Sequence, residues 1–460
     1  MTDPIQMLAA ERLQQDHRLA QAKKLLIEAL EQSQSTIHGI KPPDPARKLD
    51  YDNWLDQFSK ARGAPLWHPY IGSGSGKGPF VELLDGSIKY DLISGIGPHY
   101  FGHSHPLYLA SVFEAALSDV IMQGNLQQNL DALKLMEILI QHSGFDHCFL
   151  STTGVMANEN ALKIAFQKRY PANRILAFER CFMGRTIAAS QITDKAFFRE
   201  GIPTALFVDY IPFYDPAHPE ESTQKAVNAL KSHLHRYPKQ HAAMCFELVQ
   251  GEGGFNIGTK EFFITLMEIL KDDGILVIVD EVQTFGRTSS LFAMQYFEVD
   301  HLTDIVTLGK LSQTCATLYR KHLAPKPGLL SQTFTSSTAA IRASIAIITE
   351  LTSGSYYGPN GLVMQLQDKF HTLLHRISNR HPQALHGPFG IGAMVAFTAY
   401  GGAADKTTAI VKALFQAGII TFIAGSNPTR IRMLPPIGVL QDTDFAIIET
   451  LIEEVLLAHK

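Results

Sequence analysis

Ile275-Leu276-Val277-Ile278-Val279-Asp280-Glu281 is the stretch on which the fold reading turns. The apolar run is unbroken, mostly β-branched and too short for a helix. It does not alternate with polar residues, so it reads as a strand buried on both faces, the habit of a parallel sheet covered by helices. It stops abruptly at two acids. Working outward, similar short runs occur at 148–150, 174–178, 243–246 and 305–308. Amphipathic or apolar helical spacing falls at 157–169, 262–271 and 339–351. Strands alternating with helices predict an α/β body around a mainly parallel sheet. After Gly354 the texture becomes α+β, with strands expected at 393–398, 419–423 and 430–433 and a closing helix from Asp444. At the other end, Asp3-Pro4 reads as a helix start, with Asp3 as N-cap and Pro4 at the first helical position. Leu8, Leu19, Leu26 and Leu30 continue that helix until Gly39 and Pro42-Pro43-Asp44-Pro45 stop it. The expected organisation is an N-terminal helical extension with part of a small domain over 1–74, a large domain over 75–340 and a C-terminal small domain over 341–460.

Composition narrows the partners. In 460 residues, 45% are apolar and 18% charged, enough for a packed interior. Forty Lys and Arg against 44 Asp and Glu give a net charge of −4, leaving no basic excess for a nucleic-acid backbone. No apolar run is long enough to span a bilayer. Asp3 and Glu11 stand where a secretory signal would carry an apolar core. Cys148, Cys181, Cys245 and Cys315 form no CxxC pair, so neither a disulfide framework nor a zinc site is indicated and a cytoplasmic location is expected. His103, His105 and His142 lack ligand spacing, and no metal site is expected.

In open α/β sheets, ligands gather at the carboxyl ends of the strands. Three strand ends here carry Glu247, Asp280 and Lys310. Singly, each has a bland reading as a cap or a solvated charge; together they suggest a cleft. A lysine in apolar surroundings can form a Schiff base with a carbonyl compound. A buried carboxylate can keep a pyridine nitrogen protonated, making the ring an electron sink. Thr153-Gly154-Val155 opens a helix and offers N–H groups and a dipole to a phosphate. Aldehyde, pyridinium and phosphate are the features of pyridoxal 5'-phosphate.

Around these residues the chain resembles the class III pyridoxal-phosphate aminotransferases. The likeness is carried by Asp280-Glu281-Val282-Gln283-Thr284-Phe285-Gly286-Arg287 and Asp304-Ile305-Val306-Thr307-Leu308-Gly309-Lys310. It extends in the family's order through Gly102-His103-Ser104-His105-Pro106, Ala157-Asn158-Glu159-Asn160, Phe182-Met183-Gly184-Arg185-Thr186, Gln250-Gly251-Glu252-Gly253 and Arg432-Met433-Leu434-Pro435. The resemblance covers roughly residues 75 to 455 and implies fold type I, with a mainly parallel seven-stranded sheet plus a smaller α+β domain. It implies that Lys310 carries the cofactor as a Schiff base and moves the proton. Asp280 would pair with the pyridinium and Gln283 with the ring hydroxyl. Phe182 would stack on the ring, Glu247 would complete the cofactor set, and Gly154 and Val155 would bind the phosphate through their N–H groups. Thr333 would reach the phosphate of the neighbouring subunit, implying a homodimer with shared sites.

Within the family the sequence is most similar to ω-aminotransferases of the lysine 6-aminotransferase and ornithine type. Arg185 stands where those enzymes hold a substrate carboxylate, and Glu252 where a carboxylate pairs with the C-terminal arginine, here Arg432. The implied reaction moves an ω-amino group, that of lysine or a related amine, to 2-oxoglutarate. The alternative is an aminomutase or racemase on the same scaffold, which would not need both arginines. The chain departs from the family at Val155, which lacks the usual hydroxyl, at Met183, at Leu311-Ser312, and in its N-terminal extension.

Overall fold

The computed structural model describes residues 7–460. At its centre lies a seven-stranded sheet made of β1 (His147–Ser151), β2 (Arg174–Phe178), β3 (Phe207–Ile211), β4 (His241–Phe246), β5 (Leu276–Glu281), β6 (Ile305–Leu308) and β7 (Cys315–Tyr319). The strand order is β1-β7-β6-β5-β4-β2-β3. β7 runs antiparallel to both β1 and β6; every other pairing is parallel. All six residues of β5 are buried, and Ile278 sits between Cys245 and Ile305. That burial on both faces is why its sequence does not alternate. The reading of this stretch as a strand buried on both faces holds, and with it the mainly parallel sheet and the smaller α+β part.

The helix Gly154–Arg169 packs on the sheet through Ala157, Asn158, Ala161, Leu162, Ile164 and Ala165, all buried. Small side chains let its axis come close. Thr153 caps it, its hydroxyl accepting from Met156 N at 3.3 Å. Towards the C-terminus, Leu385–Ile391, Met394–Ala399, Arg430–Met433 and Phe422–Ala424 form a four-stranded antiparallel sheet in that order. The strands Gly72–Lys77, Phe80–Leu83 and Ile88–Asp91 make another sheet, completed by Ile419–Ile420 running parallel to Ile88–Asp91.

Two expectations are corrected. The N-terminal helix is not continuous: Ala9–Gln14 and His17–Ser33 are separate helices. The break falls at Asp16, whose carboxylate accepts from Arg18 N at 2.9 Å and so starts a new helix. The second helix stops at Ser33, before Gly39. The expected start at Asp3-Pro4 lies outside the described residues. The strand expected over 419–423 is likewise two strands in two sheets, split at Thr421. Among the described residues no helix is long and apolar enough to cross a membrane.

Candidate active site

The carboxyl ends of β4, β5 and β6 face one cleft. Asp280, at the end of β5, is buried with both oxygens engaged. Oδ1 accepts from Val282 N and Oδ2 from Asn158 Nδ2, each at 2.7 Å. Asn158 is itself held: Nδ2 also donates to Met183 O at 2.9 Å, and Oδ1 accepts from Thr307 Oγ1 at 2.6 Å. Burial pushes the Asp280 carboxyl above its ordinary range, while the Val282 and Asn158 donors pull it down.

Glu247 follows β4. Its Oε1 accepts from Phe182 N at 3.0 Å and its Oε2 from Gly251 N at 2.8 Å. Burial, and then the charge of Asp280, push its carboxyl up to about 8. Glu247 thereby fixes the backbone beneath Phe182, whose ring is half-buried.

Lys310 lies in the tight return between β6 and β7, at a φ of 55°. Gln313 N closes the turn onto Lys310 O at 3.0 Å. Gly309 is needed beside it, because a Cβ there would come 2.8 Å from Cys315 Sγ. Among the described residues the Lys310 ammonium has no ion-pair partner within 4.0 Å. Burial lowers its pKa, with Glu252 and Asp280 opposing.

At the mouth of the helix Gly154–Arg169, Thr153 serves Met156 N and Ala157 N. The N–H groups of Gly154 and Val155 have no acceptor among the described residues and stand at the positive end of the helix. A Cβ on Gly154 would strike Val282 Cγ1 at 2.6 Å, so Val282 packs directly under this turn. Two free amides, an oriented buried carboxylate and an unpaired lysine match the phosphate, ring nitrogen and aldehyde of pyridoxal phosphate, and the residues present fit the group.

The substrate side is built from cations. Arg432 is fully buried, and its Nη2 donates to Glu252 Oε1 at 2.5 Å. Its Nη1 lies 3.3 Å from Gly251 O and 3.4 Å from Gln283 Oε1. Gln283 thus lies against Arg432 and against Gly251, where a Cβ would touch its amide at 2.7 Å. Gly425 N donates to Glu252 O at 2.8 Å, fastening the Gly251–Gly254 turn to the C-terminal sheet. Arg185 is exposed and stacks its guanidinium 3.8 Å from the Phe198 ring centroid; it has no ion pair among the described residues.

The structure therefore gathers Lys310, Asp280, Glu247, Gln283, Glu252 and Arg432 around one cleft, with Phe182, Gly154 and Val155 at its wall. Thr333 is not among them. It is exposed, makes no hydrogen bond to Gly154 or Val155, and its carbonyl lies where a Cβ on Gly124 would have to go. Three contributors went unassigned in the sequence reading. Asn158 was detectable as one of two polar residues, with Asn160, on an otherwise apolar buried helix face. Val282 was detectable from its place beside Asp280. Lys195, which reaches within 3.9 Å of Glu252 Oε2, gives no sequence signal.

The family description Aminotransferase class-III matches residues 67–456. An acetylornithine aminotransferase from Halalkalibacterium halodurans is 32% identical over 310 residues, spanning 65% of this chain and 74% of that protein. The acetylornithine aminotransferase of Methanocaldococcus jannaschii is 27% identical over 423 residues, spanning 88% and 98%. Among solved structures, an ornithine aminotransferase from Toxoplasma gondii superposes with a TM-score of 0.75 at 25% identity, over 89% of this chain and 97% of that one. A lysine aminotransferase from M. tuberculosis superposes with a TM-score of 0.78 over 88% and 100%; at 20% identity that likeness concerns the fold. With a family match across most of the chain, a sheet of the expected topology and a cleft fitted to the cofactor, the chain belongs to the class III aminotransferases and is a pyridoxal-phosphate-dependent transaminase.

Proposed function

We propose that the enzyme transfers the ω-amino group of a lysine- or ornithine-type amino acid to 2-oxoglutarate. The observation that carries this reading is the Arg432–Glu252 pair at 2.5 Å, together with a second cation, Arg185, which stacks on the Phe198 ring that Lys195 also approaches and has no ion-pair partner among the described residues. An amino acid presenting its terminal amine carries its one carboxylate at the far end of its chain from the reacting centre, and Arg185 can take it bidentately. 2-Oxoglutarate brings two, and only then is Arg432 required. With the donor's apolar chain beside it, an unpaired buried arginine would be costly, and Glu252 neutralises it. The acetylornithine and ornithine enzymes among the relatives support the ω-amino class. An aminomutase or racemase has no use for the second arginine.

Bound pyridoxal phosphate supplies an electron sink for the carbanion formed when the substrate loses a proton. The chain does the rest. Asp280, oriented by Asn158 and Val282 N, holds the ring-nitrogen proton. Gln283 serves the ring hydroxyl and Phe182 covers the ring face. Gly154 and Val155 give their amides to the phosphate. Lys310 binds the cofactor and then, as an unprotonated amine favoured by its buried setting, takes and returns the substrate proton.

Thr333 completes the phosphate shell of a second copy in a homodimer with shared sites. Its exposure, together with the exposed Leu126 and Phe334 on the segments around it, supports that assembly. The four unpaired thiols support a reducing, cytoplasmic setting. A panel of amino donors against 2-oxoglutarate, followed by glutamate production, tests the reading. Turnover with lysine, ornithine or N-acetylornithine is the expected result, and silence with every ω-amine would overturn it.

A further inference from the structure

The Glu252 carboxylate has a cation on each side. Oε1 is taken by Arg432 at 2.5 Å, and Oε2 faces Lys195 Nζ at 3.9 Å. The second distance is within ion-pair range but too long for a hydrogen bond. The Lys195 ammonium makes no hydrogen bond among the described residues and is only about a quarter exposed. It is also well placed rather than loose. Asp194 N donates to Cys181 O at 3.0 Å, Lys195 N to Thr193 O at 2.9 Å, and Phe198 N to Lys195 O at 2.9 Å. The Phe198 ring carries Lys195 Nζ 5.3 Å from its centroid and Arg185 Cζ 3.8 Å from it. One aromatic side chain thus spaces the free carboxylate anchor from a second, unused cation.

A displaced Glu252 poses a physical problem. When the second carboxylate of a dicarboxylic acid binds Arg432, Glu252 must leave. Its side chain is largely buried, and a buried carboxylate stripped of its partner is strongly disfavoured. Without a second partner, every molecule of acceptor would have to overcome that penalty on binding. We propose that Lys195 is a specificity-determining residue, the second seat of Glu252: as a dicarboxylate takes Arg432, the Glu252 carboxylate closes the gap to the Lys195 ammonium. Neither Arg432 nor Glu252 is then stranded in either state: they pair with each other when the ω-amino donor is bound, and Arg432 pairs with the substrate and Glu252 with Lys195 when the dicarboxylate is bound. The inference rests on the reading of the enzyme as an ω-aminotransferase using 2-oxoglutarate and names the residue that makes its switch reversible.

The test uses the holoenzyme in single-turnover half-reactions, with L-glutamate on one side and N-acetyl-L-ornithine or L-lysine on the other. Lys195→Met is made alone and with Glu252→Gln, with Lys195→Arg as the charge-retaining control and Lys195→Gln as a milder replacement. Loss of the seat for a buried charge is expected to slow the glutamate half-reaction about tenfold more than the donor half-reaction, with Lys195→Arg recovering most of it. In the Glu252→Gln protein no charge needs a seat, and the same Lys195→Met change is expected to cost less than about twofold, the non-additivity of coupled groups. An equal loss in both half-reactions would reduce Lys195 to a packing residue. A loss as large in the Glu252→Gln protein as in the wild type would make Lys195 a direct substrate anchor. Either result overturns the proposal and leaves the aminotransferase reading standing. Failure of the unmodified enzyme to react with glutamate would instead overturn that reading, and this inference with it.

Discussion

Asn158 Nδ2 and Asp280 Oδ2 are 2.7 Å apart, and the amide between them is fixed by Thr307 Oγ1 on one side and Met183 O on the other. A helix residue thus aims a carboxylate that belongs to the central strand. Asn158→Ala removes one of the two donors that oppose the effect of burial on Asp280. The Asp280 pKa, already raised, rises further. The carboxylate is charged only above its pKa, so the acidic limb of the rate profile moves to higher pH. A loss of about tenfold at neutral pH is expected for Asn158→Ala, and of at least about a hundredfold for Asp280→Asn, the order found when one preorganised electrostatic group is removed. The pH dependence of a single half-reaction checks both. An unmoved acidic limb in Asn158→Ala would show that the amide is only packing.

Lys310→Ala is expected to abolish the covalent link to the cofactor and the proton transfer together. Transamination stops, while the phosphate and ring contacts still retain some cofactor. The check is absorbance of the purified variant before and after dialysis, alongside glutamate formation. Turnover at the wild-type rate would remove Lys310 from the chemistry.

Glu247 links the site to stability. Folded, its carboxyl is pushed up to about 8; unfolded, it returns to the ordinary carboxylate range near 4.5. Between those values the folded protein holds a proton that the unfolded chain has released. Stability conferred by this group is complete below about 4.5 and is lost as pH rises through about 8. Glu281, whose carboxylate accepts from Ala293 N and Met294 N, is raised to about 8 by burial too. The urea midpoint of cofactor-free protein should therefore fall from pH 5 to pH 8, and Glu247→Gln should remove roughly half of that slope. Identical slopes in the two proteins would contradict a protonated Glu247.

Thr333 carries the dimer prediction. On the proposed reading, the phosphate has more acceptor sites than the Gly154 and Val155 amides would fill, and Val155 has no hydroxyl to add. Thr333→Ala is expected to weaken cofactor retention by about tenfold to a hundredfold, since loss of one hydrogen bond to a charged group costs about 1.5–3 kcal/mol. Sedimentation should still find a dimer. A catalytically active monomer would rule out a shared site.

The parts of the fold legible in the sequence are those where local pattern and tertiary setting agree. β5 is apolar at every early position because both of its faces are buried, and β2 and β6 end where their apolar runs end. β7 was not anticipated. It returns antiparallel directly after the single 3-10 turn Lys310–Ser312, with no intervening α-helix to announce it. Ile419 to Ile423 reads as one strand because nothing in a β-branched run marks a change of sheet; the split at Thr421 comes from two different partners, Ile88–Asp91 and Arg430–Met433. In the site, Asp280 and Lys310 were readable from their places at strand ends. Lys195 was not, since its role depends on a fold that brings residues 195, 252 and 432 together. Asp16, by contrast, was a readable cap: an acid followed by a helical stretch, overlooked because the leucine spacing carries on past it.

The Glu252–Arg432 pair makes the sharpest prediction about substrate choice. On the proposed function, Arg432 faces an apolar chain and needs Glu252 when an ω-amino donor is bound, and with 2-oxoglutarate it needs the carboxylate that Glu252 would block. Glu252→Ala leaves Arg432 open in both half-reactions. The variant should accept the α-amino group of glutamate more readily than the wild type and discriminate less between α- and ω-amines. Part of that gain is offset, because among the described residues Arg432 keeps only its long hydrogen bonds to Gly251 O and Gln283 Oε1 and its Nε has no hydrogen-bond partner. Arg432→Ala acts in the opposite sense. It removes the anchor for the second carboxylate and leaves Glu252 buried beside Lys195, so the Michaelis constant for 2-oxoglutarate should rise at least about tenfold, while that for the donor moves far less. Stopped-flow half-reactions separate the two effects. Equal changes in the donor and acceptor half-reactions of both variants would show that the pair holds the Gly251–Gly254 turn in place and selects nothing.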